Sequence, residues 1–147
     1  MKFCSLASGS SGNSEFVSSG STSLLIDAGI STKRIVTGLE SVGASPDLLD
    51  GILVTHEHSD HIKGLDVFLS KYNVPLYGTM PVLDAVAKAD KKHRIDRTLF
   101  KEVKPDKAFV IGDIEVMPFA TSHDAGLPVC YTLTNGRTKL GMATDLG

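Results

Sequence analysis

The sequence predicts an α+β fold, a mixed sheet with helices packed on at least one face. Three observations lead there. Strand-like apolar runs alternate with helix-spaced ones as far as residue 90, strand patterns separated by Gly-Asp and Asn-Gly turns fill 99–145, and no internal repeat or linker divides the 147 residues. With 41% hydrophobic side chains the chain can bury one core, which excludes a disordered or fibrous protein.

The chain opens with a strand at 2–7, a Gly/Ser loop at 8–14 and strands at 15–18 and 22–26, so three short strands make a meander. Residues 31–42 begin with Ser/Thr, place Ile35, Leu39 and Val42 at helical spacing and stop at Gly43, which specifies an amphipathic helix. An apolar strand follows at 51–55. Beyond it Ile62, Leu65, Phe68, Leu69 and Tyr72 recur at three- and four-residue steps, predicting one helix with a buried face. Residues 74–77 read as another buried strand. Pro81 in a first turn, then Val82, Leu83 and Val86, predict a third helix ending near Asp90. Helix signals then disappear, and strands are predicted at 99–103, 108–111, 114–120, 129–134 and 139–144, with a hairpin at Asn135-Gly136.

A net charge of −2 excludes a global positive field, although a local patch can still meet a polyanion. Lys88, Lys91, Lys92, Arg94 and Arg97 either track a nucleic-acid backbone or form a solvated helix end, and His93 within that run reads as solvated. No apolar run approaches the roughly 20 residues of a membrane span and no export signal is recognisable, so a cytoplasmic location without membrane partners is expected. Cys4 and Cys130 lie in strand-like segments and are expected to be free, buried thiols.

Residues 53–65 read Leu-Val-Thr-His-Glu-His-Ser-Asp-His-Ile-Lys-Gly-Leu, with His56, His58, Asp60 and His61 just beyond a buried strand. On extended backbone His56 and His58 project to one side and Glu57 to the other, so Glu57 is not expected to be a ligand. Asp60 and His61 come where the chain turns from strand to helix, and can address a second cation beside the first. Imidazole and carboxylate suit zinc, manganese or iron; zinc or manganese is the expectation. A histidine-rich solvated turn is the plain alternative, and the clustering of three of the five histidines with an aspartate argues against it.

The pattern His-x-His-x-Asp-His, after an apolar strand and a threonine, resembles the signature of the metallo-β-lactamase superfamily. That resemblance implies an αββα sandwich binding two divalent metal ions, with His56, His58 and His123 on the first site, Asp60 and His61 on the second, and Asp145 bridging both. His123 in Thr-Ser-His-Asp-Ala and Asp145 in Gly-Met-Ala-Thr-Asp match the family's later ligand motifs in order and strand context. Asp27 in Leu-Leu-Ile-Asp-Ala-Gly matches an aspartate that orients the ligand loop without touching metal; a turn-forming role before Gly29 is the alternative.

The opening Ala-Ser-Gly-Ser-Ser-Gly-Asn-Ser, together with the histidine motif and Ser-His-Asp-Ala, resembles the YycJ/WalJ-like branch of that superfamily. The resemblance implies a 5′ to 3′ DNA exonuclease in which a metal-bound hydroxide attacks the phosphodiester and Asp60 orients it. Ser11, Asn13 and Lys63 are the substrate-binding candidates, since a Gly/Ser loop offers N–H groups and hydroxyls to phosphate and Lys63 adds positive charge. The alternative for them is a tight turn with a solvent-facing lysine. The same activated water attacks carbonyl carbon, so thioester or lactam hydrolysis is a second reading, and a metal-binding module without turnover a third.

By the same resemblance, residues 1–147 are expected to be the N-terminal portion of a single domain, truncated after the first half of the sandwich and part of the second sheet. The family's final histidine ligand is then missing, and self-association through uncovered sheet edges is expected.

Overall fold

The computed structural model describes residues 1–122 and 125–142. Strands β1 (Lys2–Ala7), β2 (Ser14–Ser19) and β3 (Thr22–Ile26) form the expected antiparallel meander, with an irregularity between Ser5 and Ala7. From β3 onward pairing turns parallel, through β4 (Gly51–Leu53), β5 (Leu76–Gly78) and β6 (Phe100–Glu102), giving a six-stranded mixed sheet in chain order. Parallel neighbours need long crossovers, and helices supply them: α1 (Thr32–Ser41), the pair α2 (Ser59–Ile62) and α3 (Leu65–Lys71), and α4 (Met80–Ala89). A second, antiparallel sheet has the order β10-β9-β8-β7, built from β7 (Phe109–Ile111), β8 (Ile114–Ala120), β9 (Val129–Asn135) and β10 (Thr138–Met142).

Alternation along β3 sets the layers. Leu25 joins the core shared with the helices, where Ile35, Leu39, Phe68 and Val82 pack, whereas Leu24 and Ile26 join the core between the sheets with Val116, Tyr131 and Leu133. A helix layer over two stacked sheets is thus the first half of the expected sandwich. Cys4 is half-buried and Cys130 buried, both as free thiols.

Four of the departures from the sequence expectation trace to particular residues or contacts. The helix expected through 62–72 is broken at Gly64, whose N–H bonds the Ala28 carbonyl at 2.9 Å. The strand expected at 51–55 ends early because the Thr55 N–H leaves the ladder for an Asp27 carboxylate oxygen at 2.8 Å. Pro75 has no N–H to contribute, so β5 begins at Leu76 and not at residue 74. In the β9–β10 hairpin Asn135 pairs with Thr138, which makes Gly136 and Arg137 the loop, and Gly136 takes φ +57°.

Asp90 ends α4 and organises the basic run behind it. Its Oδ1 accepts the Arg94 N–H at 3.0 Å, and its Oδ2 accepts the Ile95 N–H and the Arg97 guanidinium at 2.9 Å each. Burial opposes ionisation there, but the Ile95 and Arg94 N–H groups and the Arg97 charge outweigh it and hold the carboxyl below its ordinary 3.8. A folded-state pKa below the unfolded one contributes stability that is complete above 3.8 and is lost as pH falls through the lowered value. Asp90→Asn is therefore expected to cost about 1–3 kcal/mol at pH 7 and to flatten this acid limb, read from urea midpoints between neutral and strongly acid pH.

Candidate metal centre

Four of the expected ligands, His56, His58, Asp60 and His61, follow β4 at the carboxyl ends of the parallel strands, where β3 and β4 hand over to loops. Asp27 is the hub. It follows β3 with φ +64°, a left-handed conformation that Asp tolerates better than most side chains, and is 2% exposed. Its backbone N–H bonds the Leu53 carbonyl at 2.8 Å, and its own carbonyl accepts the Ser14 hydroxyl at 2.8 Å. Its Oδ1 accepts the Thr55 N–H at 2.8 Å, while Oδ2 accepts the Thr55 hydroxyl at 2.8 Å and faces His61 Nδ1 at 2.6 Å.

Proton bookkeeping then fixes two tautomers. A carboxylate only accepts, so His61 carries its proton on Nδ1 and donates it to Asp27. Thr55 has one hydroxyl proton, already given to Asp27, so at 2.9 Å it must accept from His56 Nδ1. As neutral imidazoles both rings then present an unprotonated Nε2 on the opposite edge, the form in which imidazole binds a divalent cation. The three rings of the motif are neighbours: centroids lie 4.7 Å apart for His56 and His58, and 4.0 Å apart for His56 and His61.

His61 Nε2 faces Asp60 Oδ2 at 3.5 Å, two electron-rich atoms that a donor or a cation must reconcile. The Asn13 amide stands between them, its Nδ2 3.2 Å from Asp60 Oδ2 and 3.3 Å from His61 Nε2. By donor type and tautomer these side chains fit a divalent cation. Among the described residues no group of three His, Cys, Asp or Glu side chains comes close enough to hold an ion by itself. His123 and Asp145, the other two expected ligands, lie outside the described residues.

Backbone contacts hold the Gly/Ser loop and the residues after β3 against the histidine turn. The Asn13 N–H bonds the Asp60 carbonyl at 2.7 Å, the Ala28 N–H bonds the His61 carbonyl at 2.8 Å, and the Gly29 N–H bonds the Asn13 carbonyl at 2.9 Å. This approach is so close that a methyl on Gly29 would fall on the Asp60 carbonyl, and one on Gly64 would fall on the Ile30 carbonyl.

Of the three expected phosphate contacts, Ser11 and Lys63 are exposed, and the lysine ammonium donates to the Ser11 carbonyl. Asn13 is half-buried and spends its amide on Gly9, Asp60 and His61, so it lies inside the ligand cluster. Thr55 went unnoticed as a site residue at the sequence level; its signal was a buried threonine immediately before the first histidine. Glu57 turns away from the rings, and its Oε1 accepts the Gly126 N–H at 2.7 Å. Nearby, burial and then the Asp27 charge raise the Tyr131 hydroxyl well above its ordinary range, which keeps it a donor to the Val54 carbonyl at 2.8 Å.

Residues 22–147 match the family described as "Beta-lactamase superfamily domain". Over 146 residues the chain is 37% identical to exodeoxyribonuclease WalJ of Streptococcus pneumoniae, covering 99% of this chain and 54% of that protein. Over 147 residues it is 40% identical to exodeoxyribonuclease YycJ of Bacillus anthracis, covering 100% of this chain and 55% of that protein. A solved metallo-β-lactamase of Cronobacter sakazakii superposes with a TM-score of 0.78 at 16% identity, over 92% of this chain and 53% of that one. The chain spans about half the length of the curated relatives it matches.

Proposed function

This chain belongs to the β-lactamase superfamily, with the metallo-β-lactamase fold, and on that premise we propose that the protein is a metal-dependent phosphodiesterase, a DNA exonuclease of the 5′ to 3′ type. The observation that supports it best is the set of hydrogen bonds by which Asp27 and Thr55 hold the Nδ1 edges of His61 and His56, which suits their Nε2 edges to a cation. His56, His58 and His123 would hold one ion, Asp60 and His61 a second, and Asp145 is the candidate to serve both. Bound zinc or manganese supplies Lewis-acid polarisation of the scissile phosphoryl group and a water that ionises near neutral pH.

The chain's own groups do the rest. Asp60, 29% exposed and steadied by the Asn13 amide, orients the attacking water through its carboxylate. Lys63 and Ser11, exposed beside the histidine turn, offer charge and a hydroxyl to a phosphate oxygen. Lys88, Lys91, Lys92 and Arg94 are exposed and available to a polynucleotide backbone, whereas Arg97 is engaged with Asp90 and lies over the Phe100 ring at 5.4 Å. Among the described residues no helix is long and apolar enough to cross a membrane.

The test pairs metal content with turnover. The intact protein is expected to carry zinc or manganese by elemental analysis and to shorten end-labelled DNA from the 5′ end when manganese is supplied. His58→Ala is expected to lose metal and at least about 100-fold in rate. A metal-loaded protein that leaves DNA intact but cleaves a thioester or lactam would replace the phosphodiester with a carbonyl substrate.

A further inference from the structure

We infer that Glu57, the motif position that points away from His56 and His58, is a positioning residue for His123: its carboxylate pins Gly126, three residues further along the chain, to the histidine turn. The inference rests on the metal centre proposed above. Glu57 sits between His56 and His58 in the chain, so alternation sends its side chain toward the neighbouring loop. There its Oε1 accepts the Gly126 N–H at 2.7 Å, three residues after His123. Its Oε2 is buried without a hydrogen bond among the described residues, a desolvation cost set against this single contact.

The segment from Gly126 to the first residue of β9 is seated at three points. Besides the Gly126 contact, the fully buried Thr79 donates its hydroxyl to the Leu127 carbonyl at 2.9 Å, and the Val129 N–H bonds the Thr55 carbonyl at 3.0 Å. Glu57 and Thr55 follow β4 and Thr79 follows β5, so the ends of the first sheet hold the loop that leads into β9. Space is equally constrained: a methyl on Gly126 would stand 2.8 Å from Pro81 Cβ and 3.4 Å from Glu57 Oε1. Thr55 also accepts from His56 Nδ1, so the ring of one expected ligand and the start of β9 are held by the same residue.

The experiment measures the zinc dissociation constant of the folded, intact protein by chelator competition, with circular dichroism as the check on folding. Glu57→Ala is expected to weaken zinc about tenfold, the scale found for groups that orient ligands. Glu57→Gln keeps an acceptor for Gly126 and is expected to restore the affinity. Gly126→Ala, which pushes the loop off Pro81, is expected to weaken zinc independently. In a His123→Ala background Glu57→Ala should have no further effect. A role in folding alone would lower the melting temperature of Glu57→Ala and leave zinc affinity unchanged, which overturns the inference. If His123→Ala itself leaves zinc affinity unchanged, the metal centre fails and the positioning role with it; if His123→Ala weakens zinc and Glu57→Ala does not, only the positioning role fails.

Discussion

Asp27→Ala is expected to destabilise the protein by about 3–5 kcal/mol, because it strands three buried donors, the Thr55 N–H, the Thr55 hydroxyl and the His61 Nδ1–H, at ~1–3 kcal/mol each. The left-handed φ of +64° adds to this, since alanine tolerates that conformation less well than aspartate. Asp27→Asn separates stability from ligand orientation. It keeps the size and the backbone preference, so urea denaturation should show a smaller loss, about 1–2 kcal/mol. Yet an amide N–H turned toward His61 Nδ1 favours the proton on Nε2, the edge intended for the cation. Zinc affinity is therefore expected to fall about 10–100-fold while most of the stability remains. An asparagine variant with unaltered zinc affinity would show that the carboxylate serves the fold alone.

Gly29→Ala acts from the other side of the same turn. The added methyl meets the Asp60 carbonyl carbon and oxygen and the His61 nitrogen, all backbone atoms, so relief requires moving the ligand turn itself. Overpacking of this kind costs about 1–3 kcal/mol. Displacement of the ligands by even about 1 Å is expected to cost on the order of 100-fold in DNA hydrolysis. Gly141→Ala is the control: nothing lies within 4 Å of a Cβ there, and neither stability nor rate should fall. Comparable rates for Gly29→Ala and Gly141→Ala would mean that Asp60 need not be held where it is.

Much of this organisation is legible in the sequence because it rests on short-range periodicity. The Ser31 start and the Ile35 and Leu39 spacing place α1 within a residue of each end; Ser31 accepts the Arg34 N–H at 3.2 Å. The alternation in β8 gives both ends of that strand, and the histidine motif announces itself by density alone. What escapes is set by approaches between distant segments. Nothing near Gly64 says that its N–H will bond Ala28 and break a helix, and nothing near Gly29 says that Asp60 will press on it.

The same limit applies inside the site. Asn13 reads locally as a phosphate-binding loop residue, but 47 residues later the chain brings Asp60 to its amide, which commits that donor to the ligand cluster. Alternation sends Glu57 to the side opposite His56 and His58, whereas its partner Gly126 is 69 residues downstream and leaves no local trace. Thr55 could have been read: a threonine closing an apolar strand and abutting a histidine has a hydroxyl that must bond somewhere when buried.

Nitrogen-detected NMR of the imidazole rings, recorded without metal and then with added zinc, is the most direct measurement. If Asp27 and Thr55 set the ligand edges, His56 and His61 will both carry their proton on Nδ1, and zinc will shift both Nε2 resonances. Either ring found protonated on Nε2 alone, or both Nε2 signals unmoved by zinc, would contradict the metal centre at its foundation.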